Sequence, residues 1–293
     1  MKLHSYLSII VLICISYASH AKLVMTAHGR GAHEYWLIYD ADQHINENLV
    51  VFLHGYGASN PGCYGGWIKS LTKQGNAVVF PKFQIGTFLP RTNEYTKRTD
   101  EVIRDAMERL SSDHQVDVAS LIMVGHSIGG VIASNIANNH NENGLHISGL
   151  VLCQPGFKYL KLGAHDSYER IDSNTFLMVI TGEKDHAAGR KFASHVYESA
   201  HLPTNKTRWI EHQVVETETL HLSAHHKDPV SPLKELDSRN RNLVIGGAYL
   251  FCETDLVDQN AYWNPSIDLI HAVNSSQLTL ELSELPEWIV SLN

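Results

Sequence analysis

Basic residues are the scarce class in this 293-residue chain: 23 Lys and Arg stand against 31 Asp and Glu, a formal net charge of −8. No long basic run breaks that balance, so the phosphate-matching face that a nucleic-acid partner requires is missing. Apolar stretches of membrane length are missing too: the longest candidate, residues 6–18, falls short of the roughly 20 residues that a helical span needs. Four cysteines are too few for a disulfide-knit scaffold. The sequence has no internal repeat, no low-complexity segment and no linker that would divide it. What remains is 43% hydrophobic and 18% charged, the composition of a globular protein, and long enough for one large α/β domain or two small ones.

Residues 1–21 differ from the rest. Lys2 gives a positive start, 6–18 is mostly apolar, and Ser19-His20-Ala21 puts small residues at both positions that a signal peptidase reads. We read a secretory signal cleaved before Lys22, which makes the mature chain secreted or periplasmic with no stable membrane span. Ile13 before Cys14 is not the small residue of a lipoprotein start. Cleavage leaves Cys63, Cys153 and Cys252, which in an oxidising compartment allow one disulfide and one thiol. Cys153, in the apolar run 149–153, reads as a buried thiol, and Cys63 with Cys252 is the first pairing to test.

The chain is organised around residues 119–138. An apolar run, 121–124, enters Gly125-His126-Ser127-Ile128-Gly129-Gly130, and a small-residue helical pattern leaves it. That is strand, tight turn and helix, with a serine at the apex. A turn sharp enough to lift Oγ clear of the sheet strains the serine backbone and demands small residues two positions to either side. Gly125 and Gly129 supply them, and Gly130 lets the helix pack close. The apex also puts Ser127 at a helix N-terminus, where free N–H groups and the dipole favour negative charge.

This Gly-x-Ser-x-Gly arrangement, with its flanking strand and helix, resembles the nucleophile elbow of the α/β-hydrolase superfamily. The resemblance covers roughly residues 33–275. It implies one α/β domain over 22–293, a mostly parallel central sheet with helices on both faces, followed by a C-terminal tail that the resemblance does not explain. Two early strands, the second over 33–40, alternate like an edge hairpin. The run 48–54 is continuous, as a doubly covered parallel strand is. It ends in His54-Gly55-Tyr56-Gly57. In the superfamily one oxyanion N–H comes from the residue after such a His-Gly pair and the other from the residue after the nucleophile, which implies Tyr56 and Ile128.

Further along we expect a helix from about Tyr64 to a stop at Gly75 and a strand over 76–83. A polar loop over 84–98 then leads to an amphipathic helix over 100–110 with Thr99 as N-cap. Strands follow at 149–156, 175–182 and 207–215, and helices at 190–200 and 265–273. An apolar run at 243–252 stays unassigned, and a short strand is expected within 278–286. Tyr56, Tyr64, Trp67 and Phe88 are candidate lining for an acyl pocket.

A serine of this kind needs a histidine, and the histidine needs a carboxylate that accepts its Nδ1–H and stabilises the imidazolium. Asp185 lies just past the strand 175–182, where open α/β sheets keep their working residues, and its three-residue offset from Gly182 matches the superfamily position. Glu183 and, more distantly, Asp172 are the alternatives. Residues 220–232 offer His221, His225 and His226. The superfamily pattern of a histidine three residues before a proline selects His226, ahead of Pro229, with His225 the alternative. The loop 217–232 is the expected gate.

The resemblance therefore implies a secreted serine esterase or lipase acting on small-molecule or lipid esters through Ser127, His226 and Asp185, with no cofactor. The same machinery serves peptide, lactone or thioester cleavage. A non-catalytic binding protein on the same fold is the rival reading, separable by reaction with a fluorophosphonate. A metal site built from His221, His225 and His226 is a third. Pro229 and Pro232 crowd it, no Cys or Asp partner has fitting spacing, and it leaves the elbow unexplained, so no metal is expected.

Overall fold

The computed structural model describes residues 22–86, 90–161 and 163–292; the expected leader and Phe88 lie outside the described residues. Strand β1 (Leu23–His28) folds back antiparallel on β2 (Tyr35–Asp40), the anticipated edge hairpin. Then come β3 (Asn48–Leu53), α1 (Gly65–Thr72), β4 (Ala77–Pro81), α2 (Thr92–His114), β5 (Ser120–His126), α3 (Ile128–Asn138), the single turn α4 (His140–Asn143) and β6 (Ile147–Cys153). The second half holds β7 (Phe176–Gly182), α5 (Lys191–Ser199), β8 (Thr207–His212), the small ribbon of β9 (Val215–Glu216) and β10 (His221–Leu222), α6 (Leu243–Phe251), α7 (Asn264–Asn274) and β11 (Ile289–Ser291).

Nine strands form one sheet in the order β1-β2-β4-β3-β5-β6-β7-β8-β11, parallel from β4 through β8 and antiparallel at both edges. The continuous apolar runs follow from its two covered faces. In β3, Leu49, Val51 and Leu53 enter a core shared with α2, α3 and α5, while Val50 and Phe52 enter another, shared with α1 and α7. Each such side chain, fully removed from water, contributes about 1.5–3 kcal/mol. The parallel strands all point their C-terminal ends the same way; Tyr56, Ser127 with Ile128, and Asp185 follow the ends of β3, β5 and β7, and His226 lies in the loop after β8 and the β9–β10 ribbon.

Three expectations need correction. Helix α2 starts at Thr92, not near residue 100, and Thr99 is buried within it instead of capping it. Its polar first turns are tied by Glu94 to Arg91 and Arg98 at helical spacing, and Thr92 and Tyr95 turn inward. The tail strand is Ile289–Ser291, antiparallel to β8, and the segment 278–286 stays irregular. Leu280 is buried there, and its N–H bonds the Asn205 carbonyl (2.7 Å), but the segment pairs with no strand among the described residues. Cys63, Cys153 and Cys252 are all free thiols. Burial pushes the Cys63 thiol up to about 12, with the neighbouring Cys252 adding to the shift. Among the described residues no helix is long and apolar enough to cross a membrane.

Candidate active site

Ser127 sits between β5 and α3 at φ 56°, ψ −122°, a backbone conformation that costs a non-glycine residue of order 1–3 kcal/mol. Its surroundings hold it there. Its N–H bonds the Cys153 carbonyl (3.1 Å), and its own carbonyl accepts from Gly130 and Gly156 (both 3.0 Å). The glycines on either side are required by space: a methyl at Gly125 would lie 2.6 Å from the Gly129 carbonyl oxygen, and one at Gly129 would strike the Leu53 carbonyl.

Two loops from the second half of the sheet come to meet it. His226 Nε2 lies 2.9 Å from Ser127 Oγ, and His226 Nδ1 lies 2.9 Å from Asp185 Oδ2. The other oxygen of Asp185 accepts the N–H groups of Ala187 (2.9 Å) and Ala188 (3.0 Å). Burial pushes the Asp185 carboxyl up, but the bond and charge of His226 and these two amides outweigh it, so the group lies below the ordinary carboxylate range. An anionic carboxylate against Nδ1 fixes a donor there and leaves Nε2 free to accept a proton from the serine.

The alternatives point elsewhere. Glu183 accepts the Val214 N–H (3.1 Å) at the surface, and Asp172 turns the chain at Asn174 and Thr175. His225 Nδ1 faces the Lys184 carbonyl (3.3 Å), and His221 Nδ1 faces Glu216 (2.9 Å). Sequence reasoning missed Asp228, which fastens the histidine loop by accepting the His225 N–H (2.7 Å) and the Ser223 hydroxyl (2.8 Å).

The loop after β3 closes the site from the other side. His54 is buried, stacked on Phe83 with ring centroids 4.1 Å apart, and its Nδ1 donates to the Gly55 carbonyl (2.7 Å). Burial lowers that imidazole to about 4, so it stays neutral. The amides of Gly55, Gly57 and Ala58 are committed to the Tyr64 hydroxyl (2.9 Å), Gln84 Oε1 (2.9 Å) and the Gly55 carbonyl (3.0 Å). Tyr56 and Ile128, the implied oxyanion donors, both line the cavity that opens on Ser127, and Ile128 contributes one of the N–H groups at the start of α3. That cavity has a volume of about 660 Å³. Tyr64 lines it as expected, whereas Trp67 is packed in the core against Phe52.

Residues 44–170 match the family model described as serine aminopeptidase, S33, an α/β-hydrolase family. The chain has the α/β-hydrolase fold. The matched stretch carries the loop after β3 and Ser127, and it stops before Asp185 and His226. No curated protein matches the chain.

The mouth of this cavity is where sequence reasoning fell short. The unassigned run is α6, capped by Asn242, whose side chain accepts the Ile245 N–H (2.8 Å). Ile245 and Ala248 pack inward, while Leu243 is 96% exposed, Leu250 75% and Phe251 77%. Leu243, Val244 and Phe251 line the cavity together with Phe157 and Leu160, which are exposed as well. Of the expected gate, His226, Lys227 and Val230 reach the lining, and α6 adds Leu243, Val244, Gly247, Ala248 and Phe251. A capped helix that is apolar on every side, with no partner for its outer face among the described residues, was the signal available.

Proposed function

We propose that this α/β hydrolase is an exported serine esterase for carboxylic esters with apolar acyl groups. The observation that carries the reading is the unbroken Ser127–His226–Asp185 hydrogen-bond chain opening on an apolar cavity. Ser127 Oγ attacks the ester carbonyl as His226 Nε2 takes its proton, and the oxyanion is met by the N–H groups of Tyr56 and Ile128. The proton passes to the leaving alcohol and leaves an acyl-enzyme. Water, deprotonated by the same imidazole, then releases the acid.

The family description raises aminopeptidase activity as a second reading. An aminopeptidase must hold the substrate's α-ammonium, and a buried cation needs a carboxylate or its equivalent beside it. Among the described residues lining the cavity there is no Asp or Glu; the one charged side chain is Lys227. That favours an uncharged acyl group.

The test is a chain-length series of p-nitrophenyl esters beside a set of aminoacyl p-nitroanilides, with Ser127→Ala as control. We expect ester turnover that rises from acetyl to medium chains and little anilide cleavage. Faster anilide cleavage would replace the reading by the aminopeptidase one. Export is tested separately: the N-terminus of protein recovered outside the cytoplasm is expected at Lys22.

A further inference from the structure

A chain of three hydrogen bonds, two of them buried, runs beside the triad along the cavity wall, and the chemistry above does not use it. The Gly55 N–H bonds the Tyr64 hydroxyl (2.9 Å), that hydroxyl meets His126 Nδ1 (2.8 Å), and His126 Nε2 meets the His226 carbonyl (2.9 Å). Its two ends fix every proton in it. A carbonyl only accepts, so Nε2 carries hydrogen and donates. The imidazole is buried and neutral, its pKa lowered to about 3 mainly by burial, so Nδ1 is bare and accepts. Tyr64 therefore donates to His126 and accepts from Gly55.

Position makes this chain more than a satisfied core histidine. Gly55 immediately precedes Tyr56, His126 immediately precedes Ser127, and the far end is the backbone of His226 itself. Three successive carbonyls of the histidine loop are gripped: Ala224 by the Lys184 N–H (3.0 Å), His225 by Gln154 Nε2 (3.0 Å) and His226 by His126. The first two grips come from residues following β7 and β6. The third comes from β5, the strand that carries the nucleophile, so it alone sets base against nucleophile directly.

We propose that His126 and Tyr64 are positioning residues, one buried strut that holds the Tyr56 amide, the Ser127 hydroxyl and the His226 imidazole at a fixed mutual spacing. The proposal rests on the triad reading. Displacements of about 1 Å in such a constellation cost up to roughly 100-fold in rate, and residues acting as a unit give non-additive losses.

The experiment measures kcat, KM and Tm on the mature protein with a p-nitrophenyl ester for Ser127→Ala, Tyr64→Phe, His126→Asn, His126→Gln and the double variant Tyr64→Phe/His126→Asn. Asparagine can reach only toward Tyr64, whereas glutamine can place an N–H at the His226 carbonyl. The strut predicts a kcat loss of about tenfold for Tyr64→Phe and about 30- to 100-fold for His126→Asn, with KM within about twofold. It also predicts recovery of most of that loss in His126→Gln and a double variant no slower than His126→Asn. A lowered Tm with unchanged kcat overturns it, as do losses that multiply in the double variant. Full activity in Ser127→Ala overturns the triad reading and the strut with it, so the two failures look different.

Discussion

The histidine loop and helix α6 face each other across one cavity and are built on opposite terms. Residues 223–228 are fastened at three successive carbonyls and at Asp228, whose carboxylate meets the Ser223 hydroxyl, the His225 N–H and His212 Nε2. Helix α6 is held by Asn242, which caps it and bonds the Gly57 carbonyl, and by Ile245, Ala248 and Tyr249 packed inward, and it leaves Leu243, Leu250 and Phe251 in water. The first arrangement suits chemistry, where groups must stand ready before the charge develops. The second suits reception of an apolar chain, because exposed apolar surface is what the substrate would cover. Position is built by polar backbone contacts, and affinity by side chains left unsatisfied.

The contrast breaks first if the fastened side is not the reacting side. Ser127→Ala and His226→Ala are each expected to lower kcat by roughly 10⁴- to 10⁶-fold, while His225→Ala, whose ring faces the Lys184 carbonyl, should stay within a few-fold. Equal losses in the two histidine variants would show that the loop, not one imidazole, is being damaged. Next in size is Gly129→Ala. Its methyl must displace the Leu53 carbonyl, an overpacking cost of about 1–3 kcal/mol that should appear as a Tm drop of several degrees. An unchanged Tm would mean that the elbow is looser than its backbone bonds imply.

How much of this the sequence disclosed follows the same division. The parallel strands were legible because both their faces are covered, which writes itself as unbroken apolar runs such as 48–53. The elbow was legible because steric need restricts Gly125 and Gly129 to glycine. The start of α2 was not, since Thr92, Tyr95 and Thr99 turn inward within a segment that is polar by composition. Strand β11 is three residues long and exists through pairing with β8, a partner roughly eighty positions away. Helix α6 was least legible. Its apolar run stayed unassigned, and only the fold reveals that it borders the cavity.

Substitutions at the rim sharpen the comparison from the other side. Phe251→Ser with Leu243→Ser removes two lining side chains that take no part in the hydrogen bonds of the histidine loop. With about 0.8 kcal/mol at stake per methylene that loses apolar cover, kcat/KM for an octanoyl ester is expected to fall about tenfold. The acetyl ester should be unaffected. Parallel loss on both esters would mean that α6 supports the catalytic groups as well as the acyl chain.

The smallest effect sits where the two regions join. Asp258 is buried at the start of a π-helical turn (Asp258–Trp263) beside a small polar cavity that Asp228, Phe251 and Cys252 share. One of its oxygens accepts the Asp255 N–H (2.9 Å); the other has no partner among the described residues. Burial above all, with the nearby Asp255 and Asp228 carboxylates, pushes its pKa up to about 8, against the pull of the Asp255 amide. The folded protein thus keeps a proton that the unfolded chain releases near pH 4. Between those limits the folded state binds more protons, so its stability falls as pH rises from about 4 to about 8. The amide introduced by Asp258→Asn cannot ionise, and it can stand in the place of the protonated acid. The Tm advantage of that variant over the parent should therefore widen by a few degrees between pH 5 and pH 8, with kcat within twofold because Asp258 contacts neither the triad nor the large cavity. A gap that stays constant with pH would mean that Asp258 is ionised in the folded protein. A gap accompanied by lost kcat would mean that the join transmits strain to the histidine loop, and that the two regions are not built independently.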